Sequence, residues 1–195
     1  MKVNFVKTFI PVKDFVAVEK VGNKMLVRFD AVKDADMDAY SCVEGSVSAS
    51  EYNEQEVRIE YEAWKQKWAE KALVLAKKAK IAEITAYDTS GKVNGFMLNG
   101  LLVWLDKATR VGLMNSTTIA KAAGQQTTTL WLGGLKLVVD CDKAIQLLSA
   151  LEMYALECFN VTASHKQAVS ELTSIEDVEV YDYKKGYPKM LEMSV

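Results

Sequence analysis

One histidine, two prolines and three cysteines are spread through 195 residues, and each scarcity closes off a class of chemistry. His165 has no second imidazole beside which to build a metal site, which would have to rely on carboxylates and scattered thiols, and a structural role is expected of it. The cysteines, Cys42, Cys141 and Cys158, are odd in number and far apart, which fits neither a disulfide framework nor the paired short spacings of a zinc knuckle. They read as free thiols of a reducing cytosol; Cys141 and Cys158 could meet only where helix ends approach. Lys plus Arg (24) against Asp plus Glu (26) leaves a formal charge of −2, so the basic excess that drives phosphate-backbone binding is missing and nucleic acid is not expected as a partner. No apolar run reaches the length of a membrane span, and Met1 to Ile10 alternates like a strand, so neither a secretory leader nor membrane insertion is expected. Phosphate-binding loops, nucleophile elbows and His-Glu-x-x-His are all missing. The expectation is a protein that is not an enzyme, with no catalytic residue, no cofactor and no metal.

What is present is apolar material, half of the chain, enough for one sizeable core or two small ones. The pattern predicts an α+β fold in three regions: a small antiparallel β region over residues 1–47, a long amphipathic helix over 48–90 and a carboxyl domain over 91–195. In the first, Val3 to Ile10, Asp14 to Val21, Met25 to Phe29 and Tyr40 to Val47 have strand character, with a Gly22-Asn23 turn, Pro11 breaking the first run and Asp34 to Asp38 as a loop. So few strands need a neighbour to cover them.

The helix opens on Ser48 and Glu51, the spacing of a capping box. Its apolar seam runs Val57, Tyr61, Trp64, Trp68, Ala72, Leu75, Ala79, Ala82, Ala86, as a helix with one buried stripe requires. Glutamates fill the first third and lysines the later part, so an antiparallel or staggered copy would bring opposite charges together. Two readings stand: the stripe packs on its own protein, or it is the seam of a self-associating stalk, for which Val57, Tyr61, Trp64, Trp68 and Leu75 would carry the association.

Beyond Gly91 the sequence reads as two ββα units. Asn99-Gly100 and Gly133-Gly134 sit between short apolar runs as hairpin turns, Asn-Gly because it tolerates the positive φ of a type I′ turn. Asp106 caps a helix through Ala123, and Asp140 or Asp142 caps a long one from Lys143 toward Thr162. The expected common core is Phe96, Leu98, Trp104, Leu113, Trp131, Leu137, Ile145, Leu148, Leu151 and Leu156. Thr173 and Glu176 suggest a capping box for a shorter helix, and Tyr181, Tyr183 and Tyr187 near the carboxyl end could either stack on a sugar or finish a core edge.

The stretch Val103-Trp104-Leu105-Asp106-Lys107-Ala108-Thr109-Arg110, with Asn99-Gly100, Thr129-Leu130-Trp131, the helix Leu148 to Cys158, His165, Leu172-Thr173 and Tyr187-Pro188, resembles a domain of unknown function at the carboxyl end of bacteriophage tail-fibre and tail-assembly-like proteins, particularly of gut Bacteroidota phages. The resemblance covers Val93 to Pro188, about half of the chain, and residues 1–47 match no known module. It implies a virion structural protein of fibre or adaptor type, made in the bacterial host cytoplasm and assembled on head or tail. The partners expected are other virion proteins, a dimer or trimer of itself and, in the alternative of a receptor-binding tip, a host surface glycan. A further alternative is an assembly chaperone that leaves before the particle matures.

Overall fold

The alternation of the first fifty residues does build a sheet, and the long periodic stretch after it a helix. The computed structural model describes Met1–Val195 and shows a mixed α+β chain divided into two units, Met1–Ala72 and Leu73–Val195.

In the first unit β1 (Asn4–Pro11), β2 (Val18–Val21), β3 (Lys24–Lys33) and β4 (Ala39–Ser48) form an antiparallel sheet in the order β1-β4-β3-β2. Pro11 closes β1 rather than interrupting it, which an edge strand permits because no neighbour needs its missing N–H. Register sets Phe5 opposite Gly45, Gly45 opposite Val27 and Val43 opposite Phe29, so these residues share one face. Onto that face packs the start of α1 (Glu54–Asp88), through Val57, Tyr61 and Trp64. Tyr61 stacks on Phe29 with ring centres 4.2 Å apart, and Phe5 sits edge-on to Tyr61 at 5.4 Å. On the other face Arg28 bridges Glu44 and Glu19 at 2.8 and 3.2 Å.

Two features of α1 differ from expectation. Its cap is Asn53, whose side-chain oxygen accepts from the N–H groups of Gln55 and Glu56, because Ser48 is still paired with Lys24 in the sheet. The buried stripe also changes face. From Lys65 to Lys71 every residue is exposed, and the next helix positions in contact with core are Leu73, Ala76, Ile81 and Ile84, not the continuation Leu75, Ala79, Ala82, Ala86. The division into units falls inside the helix, between Ala72 and Leu73.

The second unit contains the two expected ββα units. The first comprises β5 (Phe96–Leu98), β6 (Leu101–Val103) and α2 (Lys107–Ala122); the second comprises β7 (Thr127–Leu132), β8 (Leu135–Asp140) and α3 (Cys141–Glu171). Asn99 at φ 49° and Gly100 at φ 80° make the first turn as their chemistry requires. Asp106 caps α2 through the Thr109 N–H, and Asp140, not Asp142, caps α3. The helix α4 (Ile175–Val180) is capped by Ser174, one residue beyond Thr173. A short strand that sequence alone did not suggest, β9 (Leu191–Met193), runs parallel to β5 and completes a sheet ordered β6-β5-β9.

The core gathers Phe96, Leu98, Leu130, Leu132, Leu148 and Leu151, all 1% exposed or less. Four expected members lie outside it: Trp104, Trp131 and Leu156 are 42%, 60% and 50% exposed, and Ile145 is half-buried away from the cluster. In β7 the inward residues are Leu130 and Leu132, and the pleat turns Trp131 between them outward. No helix is long and apolar enough to cross a membrane.

Candidate functional site

The proposed association residues of α1 separate into two groups. Val57 and Tyr61 are 1% and 3% exposed within the core of the first unit, so these two cannot also face another chain, and half-buried Trp64 packs against the same core. This is the outcome in which the stripe packs on its own protein, because the sheet needs a cover. Trp68 stacks on Trp64 with centres 5.7 Å apart and has the Lys7 ammonium 5.2 Å above it, yet keeps 44% of its surface; Leu75, in the second unit, keeps 57%.

The carboxyl tyrosines are held inward. Tyr181 Oη is 2.9 Å from His165 Nδ1, and Tyr187 Oη is 3.0 Å from Thr162 Oγ1. Tyr183 packs edge-on to Tyr87. Burial raises the pKa of Tyr187 above the ordinary phenol value. His165 is itself engaged on both nitrogens: its Nε2 lies 2.9 Å from the Lys185 carbonyl, which can only accept, so that nitrogen carries the proton. The ring thus ties α3 to the segment after α4.

Each cysteine is buried. Cys141 and Cys158 lie on the same helix, α3, 17 residues and therefore roughly 25 Å apart along its axis, so they cannot meet. Burial raises the thiol value of Cys158, whose Sγ contacts the Val93 carbonyl at 3.3 Å, and burial likewise raises that of Cys42. These are conditions for an inert thiol.

A cleft of about 420 Å³ opens in the second unit, where the end of α1, the β6–α2 connection and the middle of α3 meet. Trp104 and Phe159, 42% and 61% exposed, line it beside Leu156. Arg110, 8% exposed, reaches it from α2; its Nε donates to Glu152 Oε1 and its Nη1 to the Leu105 carbonyl, both at 2.8 Å. The second Glu152 oxygen and Arg110 Nη2 bond to nothing in the protein yet stay accessible, since Thr117 Oγ1 is the one buried side-chain polar atom without a partner. Asp88 is half used: Oδ1 accepts from Thr162 Oγ1 at 2.7 Å. Asp106 is committed to Thr109, whose backbone N–H and hydroxyl it accepts at 2.8 and 2.7 Å, and the backbone bond above all lowers its carboxyl below the ordinary value. The sequence showed Asp106 as a helix cap and Trp104 as core; that these and Arg110 share a cleft with Phe159 and Glu152 of α3 depends on α2 packing against α3, which no local pattern encodes.

No curated protein and no solved structure matches the chain. Residues 75–185 match the family described as a domain of unknown function (DUF4376); as these are more than half of the sequence, the chain belongs to that family.

Proposed function

We propose that the chain is a non-enzymatic assembly protein, a bacteriophage virion component of fibre or adaptor type that binds other virion proteins and a further copy of itself. The observation that carries the reading is the uncovered part of the α1 stripe in the second unit. Leu75 is exposed and is followed at helical spacing by exposed Ala79, Ala82 and Ala86. A leucine beside a row of methyl groups lets a second helix approach closely, and burying Leu75 would contribute about 1.5–3 kcal/mol. Charge favours an antiparallel copy, because exposed Glu54, Glu56 and Glu62 lie early in α1 and exposed Lys71 and Lys78 lie late.

The virion setting comes from the resemblance of Val93 to Pro188 to the carboxyl domain of tail-fibre and tail-assembly-like proteins. The receptor-binding alternative built on Tyr181, Tyr183 and Tyr187 gains no support, since those rings are engaged within the unit.

Sedimentation of the wild type and of Leu75→Glu tests self-association: a dimer or trimer that reverts to monomer on substitution is expected, and a wild-type monomer would remove this reading. Mass spectrometry of purified particles tests the setting. The chain should be present in the mature virion, whereas absence would turn the reading toward an assembly chaperone.

A further inference from the structure

We propose that the cleft between α2 and α3 binds a neutral sugar, a pyranose ring in contact with both Trp104 and Phe159 and with its hydroxyls on Arg110 and Glu152. The proposal is independent of the assembly reading and uses residues none of which belongs to the α1 stripe.

The free polar atoms of the cleft define the ligand. Arg110 and Glu152 are joined by one bond at 2.8 Å, and each keeps a group without a partner in the protein, Nη2 as donor and Oε2 as acceptor. A ligand that satisfies both at one place must give and take hydrogen bonds at the same atom or at adjacent ones, which hydroxyl groups do and carbonyls, ammonium groups or phosphates alone do not. Asp88, with Oδ2 unpartnered, adds a second acceptor. Arg110 is more than nine-tenths buried, so its orientation is set by the protein before any ligand arrives.

Charge narrows the class. Asp88, Asp106 and Glu152 outnumber Lys107 and Arg110, so a phosphate or carboxylate would meet net repulsion, while a cation would meet the guanidinium. An uncharged polyol meets neither. The exposed indole and phenyl supply the other half of the match: the C–H face of a pyranose is apolar, and two aromatic side chains left open to solvent beside a polar pair offer it a surface. At about 420 Å³ the cleft lies within the ordinary range of small-ligand sites.

The test is saturation-transfer NMR and tryptophan fluorescence on the full chain, with methyl glycopyranosides of glucose, galactose, mannose and N-acetylglucosamine as probes and adenosine monophosphate as the charged, stacking competitor. At least one sugar should bind. Trp104→Ala and Phe159→Ala should each weaken binding about tenfold, the order of loss when one stacking partner is removed. Glu152→Gln, which replaces the free acceptor and keeps the shape, should weaken the same sugar, and Trp131→Ala, an exposed indole away from the cleft, should leave binding unchanged. Both aromatic side chains are exposed, so their removal leaves the core intact, and circular dichroism checks this. The proposal is overturned by the absence of any sugar signal, by tighter binding of adenosine monophosphate than of every sugar, or by binding that survives both aromatic substitutions.

Discussion

Gly45 is the tightest point in the first unit, and adding a single methyl there tests how its sheet is covered. A Cβ at this position would stand 2.7 Å from two carbons of the Phe5 ring and 2.8 Å from a Val3 methyl. Neither neighbour has room to step aside, because Phe5 is 7% exposed and wedged among Phe29, Tyr61 and Trp64 at ring separations of 6.1, 5.4 and 5.9 Å. Overpacking by one methyl costs about 1–3 kcal/mol. Against this, replacing glycine by alanine restricts the unfolded chain and returns about 0.4–1 kcal/mol. The net expectation for Gly45→Ala is a loss of about 1–2 kcal/mol, or a fall of roughly 5–15 °C in melting temperature for a unit of this size. Near-UV circular dichroism reports on the first unit through Trp64 and Trp68, and a melt followed there measures the loss. Phe5→Leu in the Gly45→Ala background should recover part of it by shortening the obstructing ring. If Gly45→Ala melts at or above the wild type, the packing of α1 on the β1 and β4 face is not as described.

Thr117 is fully buried with its hydroxyl unpartnered, so Thr117→Val should raise stability by roughly 1 kcal/mol in a urea titration, whereas a loss would mean that the hydroxyl is bonded after all. Asp106 has a carboxyl held below its ordinary value by the Thr109 N–H, so its cap stabilises at pH values above the unfolded aspartate value of about 3.9 and is lost as pH falls through the lower folded value. The stability gap between wild type and Asp106→Ala should therefore be full near neutrality and close in acid, and thermal melts from about pH 6 to pH 3 that show a constant gap would refute it.

Features written in neighbouring residues were legible. Asn99-Gly100 and Gly133-Gly134 fix their turns by backbone chemistry alone, and Asp106 and Asp140 cap the helices that follow them. What escaped was decided at a distance. Ser48 has the spacing of a cap, but its strand is claimed by Lys24 and the helix waits for Asn53. The stripe of α1 reads as a single seam because alanines at 72, 79, 82 and 86 tolerate either face, while the core selects Leu73, Ala76, Ile81 and Ile84. Trp131 is expected in the core as part of an apolar run, whereas the parity of β7 turns Leu130 and Leu132 inward. The cleft itself was hidden for the same reason: Trp104 and Arg110 precede Glu152 and Phe159 by a whole ββα repeat, and only tertiary packing joins them.

The strand β9 carries a kinetic consequence. Phe96 and Leu98 can pair with Val103 and Leu101 within microseconds, since only the Asn99-Gly100 turn lies between the two strands, but their other neighbours, Leu191 and Met193, arrive only after a loop of roughly a hundred residues has closed. The sheet is consequently born incomplete, with one open margin of β5 waiting until the chain has been made as far as Leu191–Met193. Its last strand is three residues long and an edge, a place where the finished molecule would fray.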